Sequence, residues 1–143
     1  MFGVDAARAP RLTIEGAEAW LHRLATHPHA WIIEHDGRFL GEARLDGIDP
    51  NDGRASLAVG LCDPGKLGIG LGREVVRLVL HHAFRKPGLH RVGLRVAAYN
   101  TRAVRCYLAC GFVLEGRERE AVAIAGRRHD DLLMGILACE FAP

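Results

Sequence analysis

The spacing of apolar residues along the chain changes its period several times, and each period predicts a different element. Between Thr13 and Pro28 they recur every three or four positions, which predicts a helix that Thr13 caps and Pro28 ends. Two short β-type runs, 30–34 and 39–45, then flank an Asp-Gly pair at 36–37, a strong hairpin signal. The residues that set the helical period are Ala17, Trp20, Leu21 and Leu24.

The middle of the chain is predicted to form a strand, a glycine-rich turn and a second helix. A polar loop at 48–53 precedes a β-type run at 55–62. Glycines follow at every second position from 68 to 72, and an apolar helical face then continues until a Pro-Gly pair closes it at 87–88.

The last third of the chain predicts a strand at 90–97, a helix at 101–110 that Gly111 ends, and a hairpin around Gly126. A helix crosses over between the strands at 55–62 and 90–97, which forces those two to be parallel. The pattern therefore predicts one α+β domain, with a mixed, partly parallel and partly antiparallel central sheet flanked by helices. The hairpin strands are 112–123 and 128–139.

Length and composition indicate one ordinary soluble domain. The 143 residues, 49% of them hydrophobic, are enough to bury a core, and the mean hydropathy is +0.04. No apolar run approaches the ~18 residues of a membrane span, and the first residues show no basic-then-apolar leader. We therefore expect a cytoplasmic protein with no membrane partner.

The net charge of +2 hides an asymmetry between two halves of the chain. Up to Pro64 there are six Lys or Arg and ten Asp or Glu, whereas from Gly65 onward there are thirteen and seven. The simplest use of the basic half is attraction of phosphate groups. Nucleic-acid binding is a less favoured alternative, because a pI near 8.5 is mild and aromatic residues do not interleave with the basic ones.

The cysteines and histidines give no metal signal. The four cysteines lack a paired C-x-x-C spacing, and the eight histidines lack metal-ligand spacing with carboxylates. Cys106 and Cys110 lie one helical turn apart and are expected to pack as small hydrophobic side chains. We expect neither a metal site nor a disulfide framework.

The glycine-rich turn predicts an anion site. Its backbone N–H groups can approach a ligand closely where a helix begins, although a glycine turn without any ligand is equally compatible with this motif alone. The spacing does not fit a dinucleotide fingerprint, and the Gly-Lys-Ser/Thr end of a nucleotide P-loop is missing. The run consists of Leu67, Gly68, Ile69, Gly70, Leu71 and Gly72.

A second motif decides between these readings. The run from Asn100 to Phe112 has an asparagine, an Arg-Ala pair, a tyrosine and a terminal Gly-Phe in the order of a helix of the GNAT superfamily of acyl-CoA-dependent N-acetyltransferases. With the glycine run and the segment 126–135, the chain closely resembles that superfamily, and especially its ribosomal-protein N-terminal acetyltransferase branch. The resemblance covers about residues 13 to 137.

The resemblance implies acetyl-CoA as acyl donor and assigns residues to it. The backbone of Gly60, Leu61 and Cys62 is expected to pair with the pantetheine arm like a neighbouring strand, and an N–H there to polarise the thioester carbonyl. The amides of 67–72 are expected to hold the pyrophosphate. The remaining coenzyme contacts are assigned to Asn100, Arg102 and Tyr107.

The resemblance also makes Tyr107 the general acid that protonates the leaving thiolate. A phenol with a pKa of about 10 suits a thiol that titrates at about 8 to 9. Asn100 and Tyr107 are two helical turns apart, so both can face one groove. A core tyrosine with a locally satisfied hydroxyl is the alternative.

Three departures from the family pattern stand out. Leu67 replaces the usual Arg or Gln of the pyrophosphate loop, for which Lys66 or Arg73 can compensate, and Ser56 replaces the glutamate that often acts as base. The family also ordinarily has a strand and a helix before the helix that begins at Thr13 in this chain. Either the N-terminus is shortened or a neighbouring molecule completes the edge of the sheet, so we expect a homodimer. The candidate bases, by type only, are Glu34, Glu42, Asp46, Glu118 and His129.

These observations predict an N-acetyltransferase that works by direct transfer in a ternary complex, with no cysteine placed for an acyl-enzyme. The acceptor classes left open are a protein N-terminus, a polyamine, an amino sugar and an antibiotic amine. An α-amine, with a pKa of about 7.7 to 8.0, would make least demand on a base. The rival hypotheses are a catalytically weak acyl-CoA-binding or regulatory protein and, less favoured, a ribosome- or RNA-associated module.

Overall fold

The computed structural model describes residues 14–61 and 70–143, so the Thr13 cap and most of the glycine run lie outside the described residues. The element order is the one predicted. The helices are α1 (Ile14–Thr26), α2 (Leu71–Arg85) and α3 (Thr101–Ala109), and the strands are β1 (Ala30–His35), β2 (Arg38–Asp49), β3 (Arg54–Leu61), β4 (Arg91–Ala97), β5 (Val113–Ile124) and β6 (Arg127–Leu137).

The six strands form one mixed sheet in the order β1-β2-β3-β4-β6-β5. β3 and β4 are parallel, as their helical crossover requires, and every other neighbouring pair is antiparallel. The predicted α+β class with a mixed sheet and flanking helices is therefore confirmed. A 3₁₀ turn, Ala138–Glu140, follows β6 and replaces the last residues of the strand predicted to reach Cys139.

The hairpins β1–β2 and β5–β6 both turn through two residues with positive φ, of which the second is a glycine. Asp36 and Gly37 have φ values of 51° and 73°, and Ala125 and Gly126 have 49° and 77°. Positive φ at both central positions gives the turn whose twist matches the flanking strands. The two hairpins therefore form where the sequence predicts them.

The loop predicted at 48–53 is shorter in the structure, because β2 continues to Asp49 and only 50–53 form the turn. A register shift after Asp46 allows Asp49 to pair with Arg54 at the start of β3. The Asp49 Oδ1 then accepts hydrogen bonds from the backbone N–H groups of Asn51 and Asp52, at 2.9 and 3.1 Å. This side-chain turn closes the hairpin tightly, so no longer loop is needed.

The core lies between one face of the sheet and helices α2 and α3. Alternate residues of the central strands are buried on this face, as the period of 2 requires. The most completely buried side chains are Leu40, Leu45, Val76, Leu80, Val92, Met134 and Ile136. Helix α1 contributes less, because none of its residues is buried and Leu21 is 49% exposed. Trp20 nevertheless meets Phe39 edge-on, with ring centroids 6.0 Å apart.

The opposite face, which we call the open face, carries charged side chains between the buried rows. Arg91 donates two hydrogen bonds to Glu115, at 2.8 and 3.0 Å, and Arg44 bridges Glu42 and Asp46. The open-face residues of the central strands are Glu42, Arg44, Asp46, Ser56, Ala58, Gly60, Arg91, Gly93, Arg95, Asp131, Leu133 and Gly135. None of the described helices is long and apolar enough to cross a membrane.

Gly41 of β2 packs closely against the end of β3, and substitution of Gly41 tests this contact. A Cβ at Gly41 would overlap the carbonyl oxygen of Gly60. We expect Gly41→Ala to lower the free energy of unfolding by about 1–3 kcal/mol in urea titrations. Gly116→Ala is the control, because its Cβ would meet Leu133 at an ordinary 3.6 Å. Equal stability of the two variants would contradict a tight approach at Gly41.

Candidate functional site

The sheet opens between its two parallel strands. β3 and β4 pair only at three positions, from Arg54 with Arg91 to Ser56 with Gly93. Beyond them β3 stays paired with β2 as far as Leu61, while β4 stays paired with β6 to its end. The facing backbones of the two strands therefore have N–H and C=O groups to offer, and an extended ligand could pair with them like a further strand. Gly60 lies on this part of β3, as does Leu61.

Helix α2 follows β3 in the chain, and none of the described side chains caps its N-terminus. Gly70 is its N-cap in the left-handed conformation, with φ of 85°. The first backbone N–H groups of the helix can therefore donate to an anion. Gly70 and Gly72 line a cavity of about 560 Å³ that this helix shares with the start of α3.

Three arginines line the same cavity. Arg73 comes from the first turn of α2, and Arg102 and Arg105 come from successive turns of α3. None of the three forms a salt bridge within the described residues. Three guanidinium groups at two helix N-termini favour a ligand that carries several negative charges, such as a pyrophosphate.

Asn100 has a structural role that the sequence did not reveal. Its side-chain oxygen accepts a hydrogen bond from the backbone N–H of Ala103, at 3.2 Å, and so caps α3.

Tyr107 is buried on the covered side of α3, with 5% of its surface exposed. Its ring meets Phe112 with centroids 5.6 Å apart, and burial together with the neighbouring Cys106 and Cys110 thiols raises the pKa of its phenol. The phenol therefore keeps its proton well beyond neutral pH. Cys106 lines the basic cavity, whereas the described cavities do not include Tyr107 in their lining.

The two helical cysteines are buried, as expected of small hydrophobic side chains, and they also tie the helices together. The Cys110 thiol donates to the backbone carbonyl of Arg73 with a sulfur–oxygen distance of 3.8 Å. A hydrogen bond from Cys106 and the guanidinium groups of Arg77 and Arg73 lower the pKa of Cys110. The end of α3 thereby holds the first turn of α2 in place.

Leu71 belongs to a different cavity from its glycine neighbours. A space of about 390 Å³ between β1 and α2 is lined mainly by apolar residues, among them Leu71, Trp31 and Leu78. At its rim the rings of His82 and Trp31 meet edge-on, with centroids 4.8 Å apart. The side chain of Leu71 therefore points away from the basic cavity, and only its backbone can serve an anion there.

Several candidate bases have structural partners on the open face. Asp46 accepts hydrogen bonds from the Nε of Arg44, at 2.9 and 3.1 Å, and its Oδ1 lies 3.0 Å from the Nε2 of His27. Glu118 forms an ion pair with Arg95. These two carboxylates are already neutralised by the fold.

The other candidate bases differ in their surroundings. The ring of His129 lies against Tyr99, with centroids 4.7 Å apart, and Glu34 is exposed on β1. Ser56 is exposed on the open face. Glu42 alone combines a largely buried side chain, 15% exposed, with an oxygen that has no hydrogen-bond partner in the described part of the chain.

The structure thus brings Gly70, Gly72 and Arg102 together in one cavity and adds two arginines. Arg105 was not predicted, although its position three residues after Arg102 puts both on one helix face, a spacing that could have revealed it. Arg73 lines the cavity where the sequence suggested that it could compensate for Leu67. Cys62, Leu67, Gly68 and Ile69 lie outside the described residues. No group of three or more potential metal ligands occurs in the described segments.

Comparisons with known proteins identify the family of this chain. A family model described as an acetyltransferase (GNAT) domain matches residues 4–113. The spermidine N(1)-acetyltransferase of Vibrio cholerae is 37% identical over 78 residues, which are 54% of this chain and 45% of that protein. The mycothiol acetyltransferase of Thermomonospora curvata is 37% identical over 82 residues, 57% of this chain and 27% of that protein. The chain thus spans less than half the length of these two relatives.

Solved structures show the same fold. The spermidine N-acetyltransferase of Vibrio cholerae, in complex with CoA and spermine, superposes with a TM-score of 0.80 at 26% identity. The superposition covers 92% of this chain and 79% of that one. The superfamily expected from the motifs is confirmed, whereas these relatives do not specifically support the ribosomal-protein branch.

The basic cavity can be tested with inorganic pyrophosphate alone. We expect calorimetric titration to show binding, and Arg73→Gln and Arg105→Gln each to weaken it about three- to tenfold, because each removes one charge-assisted contact. Arg85→Gln is the control, since Arg85 lies in the last turn of α2. An equal loss in the control would mean that the overall charge, and not the cavity, attracts the anion.

Proposed function

Because the chain belongs to the GNAT acetyltransferase family, we propose that it transfers an acetyl group from acetyl-CoA to a primary amine. The observation that carries this proposal is the joint position of two features. The opening between β3 and β4 suits an extended arm, and the basic cavity at the start of α2 and α3 suits phosphate groups. Acetyl-CoA is a ligand that combines both parts.

Different residues would bind the different parts of the coenzyme. The backbone N–H groups at Gly70 and Gly72, with the guanidinium groups of Arg73, Arg102 and Arg105, would hold the phosphates. The backbone of β3 near Gly60 and Leu61 would pair with the pantetheine arm. A donor on this strand would then polarise the thioester carbonyl, in direct transfer within a ternary complex.

We assign Tyr107 as the acid that protonates the CoA thiolate. Burial raises the pKa of its phenol, so the proton is present throughout the physiological range. The same shift makes the phenol a weaker acid than a free tyrosine, and transfer to the thiolate would require the two groups to meet directly. Tyr107 lies one turn beyond Ala103 in α3, on the helix that also carries Arg102.

A polyamine is the first acceptor to test. Both the sequence and the structure of this chain are similar to those of spermidine N-acetyltransferases. Spermidine also offers primary, cationic amines, which a carboxylate at the acceptor site could select. A peptide α-amine remains the second acceptor, because Ser56 stands where the family often has a carboxylate base and an α-amine is partly neutral near pH 8.

The competing proposal is an acyl-CoA-binding protein with weak or absent turnover. It is favoured by the same Ser56, and by the depth at which Tyr107 is buried. The two proposals agree on coenzyme binding and differ on chemistry, so one pair of measurements separates them.

Titration calorimetry with acetyl-CoA, followed by an assay for thiol release, tests the proposed function. We expect acetyl-CoA to bind with an affinity on the order of micromolar, NADH not to bind, and spermidine to stimulate release of free CoA. Binding without amine-dependent release, across polyamines and peptides, would support the non-catalytic alternative. Failure to bind acetyl-CoA would contradict both.

The role of Tyr107 predicts a loss of rate without a loss of coenzyme. We expect Tyr107→Phe to lower kcat roughly 10²–10⁴-fold, because the thiolate loses its proton donor, while the Kd for CoA stays within about twofold. Tyr99→Phe is the matched control, since Tyr99 is 45% exposed and packs on His129. An unchanged kcat in Tyr107→Phe would show that the buried tyrosine is only part of the core.

A further inference from the structure

We infer that Glu42 binds the acceptor amine, with its Oε2 atom accepting an N–H from the nitrogen that receives the acetyl group. This inference rests on the proposed function and adds to it a residue that contacts the acceptor. It starts from a polar atom that the fold leaves without a partner.

The Glu42 Oε2 atom is buried and has no hydrogen-bond partner among residues 14–61 and 70–143. Its other carboxylate oxygen, Oε1, accepts a hydrogen bond from the Nη1 of Arg44, at 2.8 Å. A buried oxygen of an ionised group is costly to leave unpaired, and proteins rarely do so without a functional reason. One oxygen of the carboxylate is therefore held by Arg44, and the other lacks a donor.

The position of Glu42 connects this oxygen to the opening between the parallel strands. Glu42 is directly paired with Gly60 across β2 and β3. Gly60 has no side chain to cover it, and a Cβ there would come within 3.9 Å of the Glu42 Cγ. At Gly60, β3 no longer pairs with β4. Gly41 of β2 lies close to the carbonyl group of Gly60. The carboxylate thus lies over the strand that would hold the thioester.

The other carboxylates of the open face are already in use. Asp46 is shared between Arg44 and His27, and Glu115 accepts both hydrogen bonds of a paired guanidinium. Asp131 lies beside Arg95, with 3.6 Å between its oxygen and the guanidinium nitrogen. Among the described residues, Glu42 has the one buried carboxylate oxygen that lacks a hydrogen-bond partner.

The chemistry of this site balances for a primary amine. The ammonium form docks on Glu42 and loses one proton to water, and the neutral nitrogen then forms the N–C bond with the acetyl carbon. The C–S electron pair leaves on sulfur, which takes a proton from Tyr107. The second amine proton passes to Glu42, and water then removes it and restores the proton of Tyr107.

The decisive variant is Glu42→Gln, with Asp46→Asn as the matched control on the same arginine. The amide oxygen of the introduced glutamine can still accept from Arg44, which keeps its contacts with Asp46, so we expect the melting temperature to stay the same or rise. We expect kcat/KM for spermidine to fall at least tenfold in Glu42→Gln and less than threefold in Asp46→Asn, with the Kd for CoA unchanged in both. An unchanged kcat/KM in Glu42→Gln would overturn the inference.

A second measurement separates this inference from the proposed function. Spermidine is titrated into protein saturated with free CoA, which requires no turnover. Weaker spermidine binding in Glu42→Gln than in the wild type supports an acceptor site at Glu42, even if thiol release is absent and the proposed catalysis fails. Equal binding by both proteins, or no binding by the wild type, would overturn the site at Glu42 while leaving coenzyme binding and acetyl transfer to be judged by their own assays.

Discussion

The short parallel contact between β3 and β4 is the constraint on which the rest of the structure depends. Three residue pairs join the strands, and each strand is then held on its outer side by a full antiparallel ladder. The two strands can therefore separate beyond these pairs while each stays hydrogen-bonded to its outer neighbour. The opening leaves backbone groups of β3 and β4 without a strand partner, and such groups favour an extended ligand that can pair with them.

The charges are arranged around this opening by different elements. The arginines of the basic cavity come from the first turn of α2 and the first two turns of α3, where the helix N-termini add to their field. The carboxylates belong to the open face of the sheet. The basic groups and the carboxylates thus belong to different elements of the fold.

The sequence predicted those parts of the fold that depend on local chemistry. Asp36-Gly37 acts through backbone conformation, which neighbouring residues determine, and the helical crossover forced β3 and β4 to be parallel. The extension of β2 was missed because it depends on an Asx turn at Asp49 and a register shift, both of which require the partner strand. Arg105 and the unpaired oxygen of Glu42 were missed for a similar reason. Cavity lining and unsatisfied burial are properties of tertiary structure.

This chain has Ser56 where the family often has a carboxylate, but it has a carboxylate on the neighbouring strand, at Glu42. Both lie on the open face, but Ser56 is at the last parallel pair, whereas Glu42 faces Gly60 where the strands have parted. A carboxylate on β2 can reach over β3 only if the facing residue is small, and Gly60 provides that space. The absence of a carboxylate at position 56 is therefore weak evidence against catalysis in this chain. Glu42 carries a carboxylate closer to the opening, and Gly60 leaves space for it.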